Sequence, residues 1–258
     1  MTVSQPRNAL VTGAARRIGR AIALDLARHG WSVAVHFHGS PDEAQATVAE
    51  IKDAGGRASA IPADLSIEQE TVGLIDQAAA SIGPITCLVN NAARFERDTA
   101  ETATRESWDL HLETNLRAPF VLMQEFARTL LLKPREDITG CVINMIDERV
   151  WNLTPHFVSY TVSKAALWTL TQTLAQAYAP RIRVNAIGPG PTLPSPRQNA
   201  DQFAQQSRAT PLGRATTPDE ICDAVRFILA APTMTGQMIA LDGGQHLGWR
   251  NSGDEPEE

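Results

Sequence analysis

Short apolar runs alternate with longer amphipathic stretches along almost the whole chain. The runs fall at Ala9–Val11, Val33–Phe37, Ala58–Ile61, Cys87–Val89, Cys141–Ile146, Arg183–Ile187 and Met238–Leu241. Between them, apolar residues recur at helical spacing near 17–29, 42–54, 67–80, 106–131, 157–178 and 218–230. The runs are continuously apolar, the pattern of strands covered on both faces. Strand and helix in alternation imply parallel pairing through right-handed crossovers. The expected fold class is therefore α/β, a doubly wound parallel sheet with helices on both faces. No repeat or linker interrupts the rhythm, and residues 1–251 read as one domain. Two segments depart from it. Gly188–Arg214, with Pro189, Pro191, Pro194 and Pro196, is far longer than an ordinary connection, so an active-site lid is expected at about 189–214. Residues 252–258 are acidic and lack apolar anchors, as a disordered tail does.

Composition narrows the class. With 43% hydrophobic residues in 258, a large core can be buried. A net charge of −6 without any basic run argues against a nucleic-acid partner. Cys87, Cys141 and Cys222 are scattered and lack metal-ligand spacing, so neither a metal site nor a disulfide framework is expected. No apolar stretch approaches the roughly 20 residues that span a bilayer, and Met1–Arg7 carries no apolar leader. The expectation is a cytoplasmic protein acting on a small molecule.

Candidate chemistry gathers at two places. After the first strand, Thr12-Gly13-Ala14-Ala15-Arg16-Arg17-Ile18-Gly19 runs straight into a helix. Glycine lets backbone amides approach a pyrophosphate while the helix N-terminus faces its charge. An ordinary strand–helix turn has the same appearance, and position in the βαβ series is what favours a dinucleotide. A free ribose 2′-hydroxyl calls for a carboxylate about 20 residues further on, yet no acid lies between Gly30 and Pro41. Arg16, Arg17, His36, His38 and Ser40 instead offer donors to a 2′-phosphate, which points to NADP(H). Further along, Tyr160 and Lys164 lie four apart in a helical segment and share one face. An ammonium beside a phenol favours the phenolate and brings its titration toward the working range.

Taken in order, these features resemble the short-chain dehydrogenase/reductase family. The resemblance spans the chain: the turn at Thr12–Gly19, Asp64-Leu65, Asn90-Asn91-Ala92, Asn115, Tyr160/Lys164, Pro189-Gly190 and Leu241-Asp242-Gly243-Gly244. It implies a Rossmann-type sheet of seven strands, an enzyme, and a homotetramer. It also implies that Asp64 and Leu65 border the adenine, and that Asn91, Ala92, Pro189, Gly190 and Thr192 line the cofactor cleft beside Gly13, Ile18 and Gly19. Lys164 would hold the nicotinamide ribose and tune Tyr160, and Asn115 would support a water-linked proton path.

Two departures from the family pattern are informative. Arg17 stands where the turn usually has a glycine, and Asp147 stands thirteen residues before Tyr160 where a serine is usual. Both departures occur together in the pteridine reductases and the dihydromonapterin (dihydrofolate) reductases of this family. The likeness extends to Ala14-Ala15-Arg16-Arg17, His36-Phe37-His38, Ile143-Asn144-Met145-Ile146-Asp147 and Gly188-Pro189-Gly190. In those enzymes an aromatic after the Asn-Asn-Ala motif stacks on the pterin, and Phe95 takes that place; a core phenylalanine is the plainer reading. Gly39 and Ala93 depart from the same pattern, where an arginine and a serine reach the cofactor. The reading reached is an NADPH-dependent pterin reductase whose substrate meets Arg17, Phe95, Asp147 and Tyr160. A carbonyl reductase or alcohol dehydrogenase of the same family is the alternative, and a non-catalytic NADP(H) sensor is the reading from another class. Trp31, Trp108 and Trp168 read as packing residues; Trp151 and His156 read equally as pocket lining or surface, and Arg94 reads as a solvated charge before a substrate contact.

Overall fold

A computed structural model describes residues 5–131 and 138–248; the tail expected at 252–258 lies outside them. The strands β1 (Asn8–Val11), β2 (Ser32–Phe37), β3 (Ala58–Pro62), β4 (Cys87–Asn90), β5 (Gly140–Met145), β6 (Ile182–Pro189) and β7 (Met238–Leu241) form one seven-stranded sheet. Its order is β3-β2-β1-β4-β5-β6-β7, and every neighbouring pair is parallel. This is a Rossmann-type α/β fold.

Continuous apolar runs become two cores because successive strand residues point to opposite faces. Leu10, Ala34, Leu88 and Val142 pack against α3 (Glu68–Ile82), α5 (Ala118–Leu131) and α6 (Val158–Ala177) through Leu74, Ile75, Leu122, Phe126 and Leu167. Their neighbours Val11, Val33, Val89 and Ile143 pack on the other face against α1 (Arg17–Arg28), α2 (Pro41–Asp53) and α8 (Pro218–Ala230), meeting Ile22, Leu26, Val48, Ile221 and Val225. The last helix begins at a capping box of Thr217 and Glu220 with Pro218 at its first turn.

Two elements differ from the sequence expectation. The helix expected over 106–131 is broken into α4 (Arg105–Leu112) and α5 by a π-helical turn at Glu113–Arg117, which carries Asn115. Such turns displace one residue from the regular ladder and often accompany functional sites. The proline-rich segment contains a helix, α7 (Ala200–Arg208), capped by Asn199 and Gln202. The strand order reverses between β1 and β4, so the connections leaving their C-terminal ends turn opposite ways and open a crevice. The candidate residues converge there.

Candidate active site

The first wall is the turn between β1 and α1. Gly13 has φ 62°, and a Cβ on Gly19 would stand 2.3 Å from the Gly13 carbonyl oxygen, so the turn closes only with glycine at that point. Thr12 Oγ1 accepts from the Asn91 and Ala92 N–H groups at 2.9 Å each, and Asn91 Nδ2 donates to the Thr12 carbonyl at 2.8 Å. The Asn-Asn-Ala motif is thus stitched to the glycine turn. Helix α1 carries no acid in its first turn, which leaves its positive end open to an anion.

These residues border a cavity of about 450 Å3 that Gly13, Arg16, Arg17, Ile18, Gly19, His36, Phe37, His38, Ser40, Asp64, Leu65, Asn91 and Ala92 line together. Every residue expected at the adenosine and pyrophosphate end is among them. His36 does not act as expected, however. Its Nδ1 accepts from the Gly13 N–H at 3.0 Å, so Nε2 carries the proton and meets the Ala63 carbonyl at 3.1 Å. Burial holds the imidazole down to about 4, so it is neutral at physiological pH and props the glycine turn from inside. Arg17 is turned to the Pro194 and Leu193 carbonyls instead, so the donors left for a 2′-phosphate are Arg16, His38 and the Ser40 hydroxyl, which does not cap α2. His38 Nε2 lies 3.6 Å from Asp64 Oδ2. Burial acts to raise the Asp64 carboxyl, but hydrogen bonds from Ser66 outweigh it, with His38 and Arg94 adding to them, and hold it below its usual range. Gly39 has φ 67° with open space beside it, so nothing fills the place of the family's arginine.

A second cavity of about 250 Å3 shares Arg17, Ile18, Asn91, Ala93 and Phe95 with the first and holds Asp147, Tyr160, Lys164, Pro189, Gly190 and Thr192. Tyr160 and Lys164 share one face of α6. The Tyr160 hydroxyl donates to Asp147 Oδ2 at 2.8 Å, while Asp147 Oδ1 accepts from the Arg149 N–H at 2.9 Å and caps a short 3-10 turn, Glu148–Val150. Asp147 is therefore strand-end cap and phenol partner at once. Lys164 Nζ donates to the Met145 carbonyl at 2.7 Å and stands 5.8 Å from the centre of the Tyr160 ring. The expected lowering of the phenol by the ammonium is not what this arrangement gives. Burial, then the charge and hydrogen bond of Asp147, push Tyr160 well above its ordinary value, and burial lowers Lys164 to about 8.

Phe95 sits where the two cavities meet. Its ring stacks on Phe157 at 4.4 Å and meets Tyr160 edge-on at 4.7 Å. The loop that carries it is tied down from below. Asn115 accepts the Arg94 N–H at 2.8 Å, donates to the Arg94 carbonyl at 2.9 Å and reaches Ser163 Oγ at 3.1 Å. His111 Nε2 accepts the Glu96 N–H at 3.0 Å. Both N–H groups of the Asn115 amide are thus used in holding the loop to α6.

The segment about 189–214 borders this cavity through Leu193, Ser195, Gln198, Phe203 and Gln206. Arg17, at φ 55° in the family's glycine position, donates to the Pro194 and Leu193 carbonyls at 2.9 and 3.3 Å. Arg197 pairs with Glu96 at 2.8 Å and lies 5.2 Å from the Phe95 ring centre. Gly190 has no room for a Cβ, which would stand 2.7 Å from Asp242 Cα. Neither Trp151 nor His156 lines the cavity: Trp151 packs edge-on against Trp168 and His246, and His156 is exposed. Sequence reasoning missed Glu148, Phe157, Arg197 and Gln245. Only the segment around Arg197 left a signal, the Asn199-x-x-Gln202 capping box that starts α7. Among the described residues no cluster of side chains could hold a metal, and no helix is long and apolar enough to cross a membrane.

Known proteins share this architecture. The family model described as enoyl-(acyl carrier protein) reductase matches residues 13–246. The 3-oxoacyl-[acyl-carrier-protein] reductase FabG of Staphylococcus epidermidis is 34% identical over 247 residues, covering 93% of this chain and 99% of the relative. The crystal structure of FolM alternative dihydrofolate reductase 1 from Brucella suis, in complex with NADP, superposes with a TM-score of 0.90 at 49% identity, over 97% of this chain and 98% of that one. The Brucella canis protein of the same name, complexed with NADP, gives 0.90 at 50% identity over 95% and 96%.

Proposed function

The chain belongs to the short-chain dehydrogenase/reductase family, and from that premise we propose that it is an NADPH-dependent reductase of pterin-type substrates, dihydropterins or dihydrofolate. The observation that carries this reading is the Asp147 carboxylate on the Tyr160 hydroxyl at 2.8 Å, with Phe95 beside the same ring. A serine at that place polarises a carbonyl oxygen through one hydroxyl. A carboxyl suits a ring nitrogen that gains a proton while the neighbouring carbon is reduced. Phe95 adds a flat apolar face for a planar heterocycle, and Ser195, Gln198, Gln206 and Gln245 add neutral hydrogen-bonding groups for its polar edges. The 49% identity to the alternative dihydrofolate reductase of Brucella suis, against 34% to the oxoacyl reductase, supports the same choice.

The cleft fits NADP(H): a turn with no room for a Cβ at Gly19, an acid-free helix start with Arg16 at its N-cap, and His38 and Ser40 just after β2. Gly13, Ile18, Gly19, Asn91 and Ala92 would hold the pyrophosphate side, with Asp64 and Leu65 at the adenine and Lys164, Pro189, Gly190 and Thr192 at the nicotinamide end. When bound, the dinucleotide supplies the hydride. Tyr160 delivers the proton from its hydroxyl. Asp147 orients that hydroxyl and faces the substrate nitrogen, while Lys164 places a positive charge behind the pair. Arg17 and the 189–214 segment close the cavity over the reacting atoms and exclude water. We place the protein in the cytoplasm, as a homotetramer, on the family resemblance.

Cofactor preference tests one half of this reading. NADPH should exceed NADH in kcat/KM by at least about tenfold, or 1.4 kcal/mol; parity or a preference for NADH would sink it. A panel of dihydropterins, dihydrofolate and aliphatic ketones tests the other half. Dihydropterins should be reduced far better than ketones, and Asp147→Ser should cut pterin turnover while leaving the thermal midpoint within a few degrees. Brisk ketone reduction with no pterin turnover would favour the carbonyl reductase reading, which the 34% relative supports. Turnover of any substrate would separate both from a non-catalytic sensor.

A further inference from the structure

We propose that Glu148 is a positioning residue of the reaction, a buried carboxyl that must stay neutral behind Asp147 for Tyr160 to release its proton. Glu148 opens the 3-10 turn after β5, lines the substrate cavity and is only 4% exposed. Its Oε2 is buried without any hydrogen-bond partner, and Gln245 Oε1 on the adjoining turn is in the same condition. An unpartnered carboxyl oxygen shut away from water is costly to ionise.

The groups that face Glu148 come from three elements. Asp147 and Arg149 flank it on its own turn. Tyr160 approaches from α6, with Lys164 one helical turn further on. Asp242 approaches from the turn after β7, and its carboxylate is bound by the His246 ring at 2.7 Å. Burial, then the charges of Asp147 and Asp242 against the single opposing charge of Arg149, raise the Glu148 carboxyl to about 8. In the reducing direction Tyr160 must become a phenolate as its proton leaves. The Asp147 carboxylate already opposes that change, and an ionised Glu148 would add a second negative charge on the same side. Reduction therefore requires the protonated form. This inference rests on Tyr160 being the proton donor and not on the identity of the substrate.

The carboxyl also couples to folding, with a definite sign. Its folded-state value lies above the ordinary 4.5, so its stabilising contribution is complete below that pH and is lost as pH rises to about 8. Replacing it with an amide removes the dependence.

The test compares wild type, Glu148→Gln and Glu148→Asp between pH 6 and 9.5, using NADPH and whichever substrate of the panel gives the highest kcat/KM. Lys164 loses its proton in the same range in all three proteins, so the readout is a difference. The ratio of kcat/KM at pH 9 to that at pH 7 should be about tenfold higher in Glu148→Gln than in wild type, the loss expected one pH unit past a titration midpoint. Activity at pH 7 should stay within about threefold. The Tm of Glu148→Gln minus that of wild type should grow from pH 5 to pH 8 and then level off. An alkaline limb unchanged in Glu148→Gln, or a uniform loss at every pH, overturns the proposal. Should Glu148→Gln not fold, a shift of the limb in Glu148→Asp by half a pH unit or more supports it, and an unshifted limb overturns it. Failure with every pterin would end the pterin reading alone, because the comparison then runs on a ketone.

Discussion

Tyr160→Phe should lower kcat/KM by about 10²- to 10⁴-fold, the usual contribution of a positioned proton donor, while NADPH affinity changes by no more than a few fold. The substitution removes one oxygen and almost no volume from a ring that is 6% exposed and packed against Phe95 at 4.7 Å. Cofactor contacts and the aromatic wall therefore survive. What disappears is the hydroxyl that reaches Asp147 Oδ2 at 2.8 Å. The carboxylate left behind lines an open cavity and can take a water in place of the phenol, so a large loss of stability is not expected. Steady-state kinetics together with NADPH fluorescence titration check both halves. More than half of wild-type turnover in the variant would remove Tyr160 from the reaction.

Lys164→Met should be nearly as damaging and should differ in kind. The thioether keeps most of the volume but deletes a buried ammonium, which leaves the Met145 carbonyl without its donor at 2.7 Å and removes one of the positive charges near Asp147. Tyr160, already raised by burial and by Asp147, would then become a still poorer acid. We expect a loss in kcat/KM of about a hundredfold or more, accompanied by weaker NADPH binding, because one group serves both ribose and phenol. Unchanged NADPH affinity would separate Lys164 from the cofactor. A small loss of turnover would separate it from the chemistry.

The positions that local chemistry specifies were legible in the chain. The short, continuous apolar runs through Leu10, Val33, Leu88 and Val142 fit strands covered on both faces, and the sheet contains them. The turn from Thr12 to Gly19 was visible because only glycine tolerates the approach of the Gly13 carbonyl. Tyr160 and Lys164 were visible because four residues is one helical turn, and Asp147 because it keeps fixed register with that tyrosine. Each of these follows from a period, a steric limit or a spacing within one segment.

Partners and burial across the sheet were settled only by the tertiary structure. His36 reads as a donor at a strand end, yet Gly13 and Ala63, 23 and 27 residues away, take both of its ring nitrogens. Tyr160 reads as the partner of Lys164, yet β5 brings Asp147 to its hydroxyl and the lysine turns to Met145. Phe95 reads as a stacking face for substrate or a core phenylalanine, and only the fold shows that Phe157 from the start of α6 stacks on it. Glu148 drew no reading from the sequence, yet the fold buries it to 4% exposure with one carboxyl oxygen unpartnered. A side chain's charge state depends on which groups from distant segments displace its water, and local sequence carries no record of that displacement.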